Sequence, residues 1–147
     1  MVFPGKAFDE ITVGETFGNS LTVSETHIVM GCGMFGDFNP LHSDESYCQN
    51  TQFKTRILHG PLTSALMSAP IGVYFAGTTI AYLEHNSRFK APVKAGDTLS
   101  TTWTITEKLD KPKLKGGIAI LVATCHNQDK ELIAEADGKI MLRNSGV

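Results

Sequence analysis

Pro61-Leu-Thr-Ser-Ala-Leu-Met-Ser-Ala-Pro-Ile-Gly-Val-Tyr-Phe75 decides the fold of this chain. Pro61 suits the first turn of a helix, where its missing N–H would have had no intrahelical acceptor. From Leu62 to Phe75 the residues are apolar nearly all round, which predicts a helix buried on most sides. Pro70 should kink that helix or end its first half. Beyond it the period changes. Thr98–Glu107 alternates, with Leu99, Trp103 and Ile105 on one side and Thr98, Ser100, Thr102 and Thr104 on the other, the pattern of a half-buried strand. Gly117–His126 and Glu131–Arg143 are β-rich runs joined by a hairpin-like turn at Asn127-Gln-Asp-Lys. Thr78–Lys90 reads as extended, Ala95-Gly-Asp97 as a turn, and Gly138 as a bulge. One buried helix followed by four or five antiparallel strands predicts an α+β layer fold, the sheet wrapped around the helix.

Upstream, Ser24 is placed to cap a helix over Glu25–Gly31, with Glu25 in its positive first turn. Gly31–His42 is Gly-rich, contains Asn-Pro and is predicted irregular. Ser43 is predicted to cap a second helix over Asp44–Asn50. Neither a repeat nor a Pro/Gly/Ser-rich linker divides the 147 residues, so residues 1–147 are expected to form a single domain.

Composition narrows the function classes. Thirteen Lys+Arg against fifteen Asp+Glu give a formal charge of −2, which argues against a broad phosphate-binding face for nucleic acid. The uncharged stretch Ile57–Leu83 is broken by Gly60, Pro61, Pro70, Gly72 and Gly77, so a buried helix fits it better than a lipid span, which needs about 20 mostly apolar residues. Met1–Lys6 has no basic region leading into a long apolar run, so no secretory signal is expected. Cys32, Cys48 and Cys125 form neither an even set nor a CxxC pair; reduced packing thiols in a cytoplasmic protein are expected, and no metal site.

Gly31-Cys-Gly33-Met-Phe-Gly36 matches GxGxxG literally. A dinucleotide site needs a strand before that pattern, a helix opening at it and an acid about 20 residues later, and none of these is expected here.

The stretch Phe35-Gly-Asp37-Phe-Asn39-Pro40-Leu-His42 carries more. On a helix, the steps from Asp37 to His42 would set them about 140° apart, and on a strand they would face opposite sides. They converge only if the chain turns between them, and Asn39-Pro40 supplies a turn. The residues alone leave two readings open: an acid and a histidine sharing one water proton, or an Asp/Asn turn beside an exposed histidine. Next comes Arg56-Ile-Leu-His59-Gly60-Pro61, at the start of the buried helix. The first amides of a helix are unpaired and can hold a developing oxyanion. Pro61 has no N–H, so the donor would be Gly60 or Leu62; His59 reads as a hydrogen-bonded structural residue.

These blocks resemble the MaoC-like (R)-specific enoyl-CoA hydratases, the hydratase-2 family. Asp37-Phe-Asn39-Pro40-Leu-His42 resembles its signature, His59-Gly60 before an apolar helix its next block, and Phe89-Lys-Ala-Pro92-Val-Lys-Ala-Gly96-Asp97-Thr-Leu its strand-and-turn segment. The resemblance implies a hotdog fold, with a long central helix wrapped by an antiparallel sheet, paired into a homodimer or higher homo-oligomer. It implies reversible addition of water to a trans-2-enoyl-CoA, giving (R)-3-hydroxyacyl-CoA, with Asp37 and His42 catalytic and the Gly60 amide on the thioester carbonyl. Asn39 would order the loop or bind substrate, and Ser68 falls where the family often has a serine near the site. No cofactor is implied beyond the coenzyme A of the substrate. Its phosphates would find cations among Arg56, Arg88, Lys90 and Lys94. Two positions depart from the pattern: Cys48 stands where Ala or Ser is usual, and Pro61 where Met is frequent. The rival expectations are the same chemistry on a branched, dicarboxylic or acyl-carrier-protein thioester, a hotdog thioesterase, and a non-enzymatic acyl-binding module. Neither nucleic acid nor membrane is expected as a partner.

Overall fold

The computed structural model describes residues 5–147; residues 1–4, on which part of the secretory-signal reading rests, lie outside them. Five strands form one antiparallel sheet: β1 (Thr16–Thr22), β2 (Thr79–Phe89), β3 (Thr98–Lys111), β4 (Gly116–His126) and β5 (Leu132–Arg143), in the order β1-β3-β4-β5-β2. The helices are α1 (Glu25–Phe35), α2 (Pro40–Ser43), α3 (Glu45–Gln49) and α4 (Gly60–Tyr74). Helix α4 lies against the sheet's inner face, where Trp103 donates its indole N–H to the Met67 carbonyl at 2.7 Å. Met67, Ile71 and Phe75 are buried against Trp103, Ile105, Leu121, Ala136 and Ile140, the core that the α+β reading requires. Leu99, Trp103 and Ile105 are buried and Ser100 and Thr102 exposed, so the period-two reading of β3 holds. The turn after β4 also forms as predicted, with the Asn127 side-chain carbonyl accepting from the amides of Asp129 and Glu131.

Several expectations are corrected. The first helix runs on to Phe35 and closes at Gly36 in the left-handed region (φ 68°), so residues 31–35 are helical, not irregular. Gly31 is glycine for contact: a Cβ there would stand 2.7 Å from His59 Nδ1. Asp44, not Ser43, caps α3, accepting from the Tyr47 amide at 2.9 Å, while the Ser43 hydroxyl turns back to the Phe38 carbonyl. Helix α4 continues through Pro70 and does not end there. It is not buried on most sides either: Pro61, Ala65, Ala69, Gly72 and Val73 form an exposed stripe, because a single sheet covers only one flank. Gly138 is in regular register with His85 and Leu121 and is not a bulge. A Cβ there would lie 3.1 Å from the Glu84 carbonyl, so the glycine serves close approach of β2. The register shifts lie in β2 itself, between Thr79 and Ala81 and between Tyr82 and Glu84, where Ile80 and Leu83 are the extra residues.

The cysteines are free and buried. Among the described residues no helix is long and apolar enough to cross a membrane. Where α4 ends, Tyr74 stacks on Phe17 and donates to the Glu15 carboxylate. That hydrogen bond holds Glu15 below its ordinary value of 4.5, against the opposing effect of burial. A lowered carboxylate stabilises the fold above its unfolded pKa, and the contribution is lost as pH falls through the native value. Tyr74→Phe should therefore lower stability at neutral pH and flatten its decline below about pH 4.5, as urea titrations at stepped pH would show.

Candidate active site

Three segments meet at the entrance to α4. The loop after α1 carries Asp37, α2 carries His42, the stretch before α4 carries Ile57 and His59, and α4 opens at Gly60. Asn39 builds the turn: its side-chain carbonyl accepts from the Leu41 amide at 3.0 Å, capping α2, with Pro40 as the first helical residue. The Asn39 amide in turn donates to Asp37 Oδ1 at 3.1 Å, which fixes the carboxylate while leaving Oδ2 free. His42 Nε2 lies 3.8 Å from that Oδ2, the Asp37 side chain half exposed and His42 largely buried. The loop therefore brings the acid and the histidine together.

Backbone carbonyls set the imidazoles. Ile57 O lies 2.7 Å from His42 Nδ1 and can only accept, so Nδ1 carries a hydrogen and Nε2 is the nitrogen turned toward Asp37. Ile57 is held in place by its own amide on the Leu41 carbonyl and by a bridge to Lys94. His59, 1% exposed, donates from Nε2 to the Asp37 carbonyl at 3.0 Å and stacks on the His42 ring at 3.7 Å. Its Nδ1 is buried without a partner, against Gly31. Asp37, His42 and His59 lie close enough to suggest an ion site. Their geometry suits one poorly: stacked rings aim their in-plane lone pairs side by side rather than at one point.

The Gly60 amide has no acceptor among the described residues, whereas the Leu62 amide donates to the His59 carbonyl at 3.1 Å. Of the two candidate donors, only Gly60 is free to meet a ligand. A cavity of about 320 Å³ opens at Gly60, walled by Phe53, Ile57, Leu58, Thr63, Phe89 and Val93. Ser68 gives its hydroxyl to the Ala65 carbonyl on its own helix. Cys48 is fully buried beneath α2, its thiol on the Pro40 carbonyl at 3.3 Å, and burial, with Glu45 and Asp44 nearby, pushes it up.

The four cations separate. Arg56 is turned inward between Glu25 and Glu45, tying α1 and α3 to the segment that bears Ile57. Arg88 pairs with Asp137 and Glu135 on the outer face of the sheet, away from α4. Lys90 reaches Glu135 at 3.1 Å and lines the cavity, while Lys94 lines the neighbouring depression beside Phe53 and Pro92. Sequence reasoning missed the Ile57 carbonyl, because a backbone acceptor leaves no residue-type signal.

Comparison with known proteins identifies the family. Residues 10–124 match the MaoC-like domain family. The chain is 39% identical over 106 residues to an (R)-specific enoyl-CoA hydratase of Rhodospirillum rubrum, covering 72% of this chain and 74% of that one. It is 29% identical over 136 residues to a 3-hydroxybutyryl-CoA dehydratase of Methylorubrum extorquens, covering 92% and 82%. The unliganded R-hydratase PhaJ1 of Pseudomonas aeruginosa superposes with a TM-score of 0.84 at 33% identity, over 95% of this chain and 86% of that one. The expected hotdog arrangement is the fold of these relatives.

Proposed function

The chain belongs to the MaoC-like domain family, and from that membership we propose that it is an (R)-specific enoyl-CoA hydratase, a hydro-lyase adding water reversibly to a trans-2-enoyl-CoA. The observation that carries the reading is the 3.8 Å gap between His42 Nε2 and Asp37 Oδ2. It is too long for a direct hydrogen bond and suits one water that gives a hydrogen to each. Such a water turns its lone pair outward, toward the β-carbon of a bound enoyl thioester. As it adds, its proton passes to the Asp37–His42 pair, and the pair returns a proton to the α-carbon. The negative charge that gathers on the thioester oxygen meanwhile rests on the Gly60 amide. The thioester itself acidifies the α-carbon, so the step needs no resident cofactor. Run backward, the same step dehydrates a 3-hydroxyacyl thioester.

Lys90, which also reaches Glu135, and Lys94 stand at the edge of the Gly60 cavity, and their position supports a role in meeting coenzyme A phosphates. Arg56 and Arg88 pair with carboxylates away from that cavity, and Ser68 serves its own helix. Three buried free thiols suit a reducing, cytoplasmic setting. We further propose a homodimer built on β2. This edge strand has an unpaired outer side; its own Ile80 and Leu83 are 49% and 46% exposed, and Val73 near the end of α4 is 78% exposed. Sedimentation should give about twice the 15.9 kDa chain mass; a single-chain mass at micromolar concentration would count against this pairing.

The test of the function is direct. Purified protein mixed with crotonyl-CoA should remove the enoyl absorbance and yield (R)-3-hydroxybutyryl-CoA. Release of free thiol would instead identify a thioesterase, and an (S) product would overturn the stereochemical assignment.

A further inference from the structure

One turn beyond Gly60, a chain of hydrogen-bonded side chains leaves α4 and runs along β2. Ser64 Oγ lies 2.9 Å from Ser87 Oγ, Ser87 Oγ 2.8 Å from His85 Nε2, and His85 Nδ1 is hydrogen-bonded to the Tyr82 hydroxyl. Strand geometry alone would forbid the last contact, since residues three apart face opposite sides. The extra residue Leu83 turns Tyr82 and His85 to one face, the inner one, where His85 meets the edge of Trp103. The row begins at the candidate site: the Phe89 ring covers Gly60, at 3.1 Å from where a Cβ would stand, and Ser87 lies two residues before Phe89 on the same strand face.

Hydrogen counting leaves the chain one hydrogen in excess. Burial pushes Tyr82 up to about 12, so the phenol keeps its hydrogen, and burial lowers His85, so the imidazole carries a single N–H at neutral pH. Tyr82, His85, Ser87 and Ser64 thus hold four hydrogens and share three hydrogen bonds. One hydrogen is left over. If every group donates toward α4, it sits on Ser64; if every group donates the other way, it sits on Tyr82. Ser64 is unlike its neighbours in this respect. Thr63 and Ser68 give their hydroxyls to carbonyls of their own helix, whereas the only partner of the Ser64 hydroxyl among the described residues is Ser87.

We infer that the Ser64–Ser87–His85–Tyr82 chain reads the acyl group, selecting enoyl thioesters that carry an oxygen acceptor a few bonds beyond the double bond, to which Ser64 donates. The inference rests on the hydratase reading and names its substrate class. Ser64 stands about 6 Å along the helix from Gly60, the reach of an acyl chain extended by several bonds from a carbonyl held on the Gly60 amide. An oxygen there takes the spare hydrogen and fixes all donors in one direction. With a methylene in its place the chain donates the other way and the spare hydrogen sits on Tyr82, which is 43% exposed, so the oxygen-bearing substrate gains only the hydrogen bond from Ser64.

The test compares near-isosteres: trans-2-hexenoyl-CoA, 4-methoxy-trans-2-butenoyl-CoA (oxygen for one methylene) and 5-hydroxy-trans-2-pentenoyl-CoA (hydroxyl for the terminal methyl). At least one oxygen-bearing substrate should exceed hexenoyl-CoA in kcat/KM by about fivefold to tenfold. In Ser64→Ala, and separately in Ser87→Ala, the ratio should fall to about one, with thermal unfolding followed to confirm that each variant is folded. The ratio cancels any general loss of activity, so a merely structural role for these serines would leave it unchanged. Equal or better use of hexenoyl-CoA by the native protein overturns the inference and leaves the hydratase reading standing. So does an oxygen preference that survives in both variants. Hydration of none of the three also overturns the inference, and it overturns the parent reading only if crotonyl-CoA is not hydrated either.

Discussion

Asp37→Asn and His42→Ala should each lower turnover of an enoyl thioester by about 10²–10⁴ while leaving the protein folded. The Asp37 side chain is half exposed, and Asn retains the oxygen that accepts from the Asn39 amide, so little stability rests on the charge. What Asn loses is the second anionic oxygen facing His42. His42→Ala removes the ring nitrogen that Ile57 aims, and leaves the Ile57 carbonyl without its donor. In the proposed reaction both side chains act on one water, so their losses should not add: the double variant should be about as slow as the worse single one. A double variant slower by the product of the two single losses would show that Asp37 and His42 act in separate steps. Turnover and thermal unfolding, measured on the same preparations, decide this.

Gly60→Pro should cost about 10²–10³ in kcat, the usual loss of one oxyanion donor. Proline is an unusually clean probe at this position. Gly60 is the first residue of α4, where proline fits a helix, and His59 before it is already extended (ψ 136°), as a following proline demands. The new ring carbon meets the rim of Phe89, a half-exposed side chain able to move. Gly60→Ala carries the same Cβ against Phe89 but keeps the N–H. Its kcat should stay within about tenfold of the native protein, so the difference between the two variants isolates the amide. Equal losses in Pro and Ala would assign the effect to Phe89 and remove the Gly60 amide from the mechanism.

Much of this arrangement was legible in the sequence, and the parts that were not share a cause. Period two exposed β3 at once, because Leu99, Trp103 and Ile105 are buried while their neighbours are not. Pro61 marked the start of α4 and also limited the oxyanion donor to two amides, which the Leu62–His59 hydrogen bond then reduced to one. The glycines misled. Gly31 looked like a loop residue, yet it lies inside a helix because His59 packs where its side chain would be. Gly138 looked like a bulge, yet it stays in register so that β2 can approach. Both are glycine because of a partner distant in sequence, and no local pattern records a partner. The same holds for the Ile57 carbonyl on His42, and for the Ser64 chain, which depends on an extra residue at Leu83 that nothing nearby announces.

The burial of α4 was overstated for a related reason. Its composition is apolar on every side, but one sheet can cover only one flank, and the stripe from Pro61 to Val73 is exposed. The homodimer proposed above would cover that stripe.

Reaction with crotonyl-CoA in water enriched in oxygen-18 tests the central claim most directly, because it reports where the water goes. The shared-water arrangement of Asp37 and His42 predicts one labelled oxygen on C3 of an intact 3-hydroxybutyryl thioester. Label in a free carboxylate, released together with coenzyme A, would contradict it.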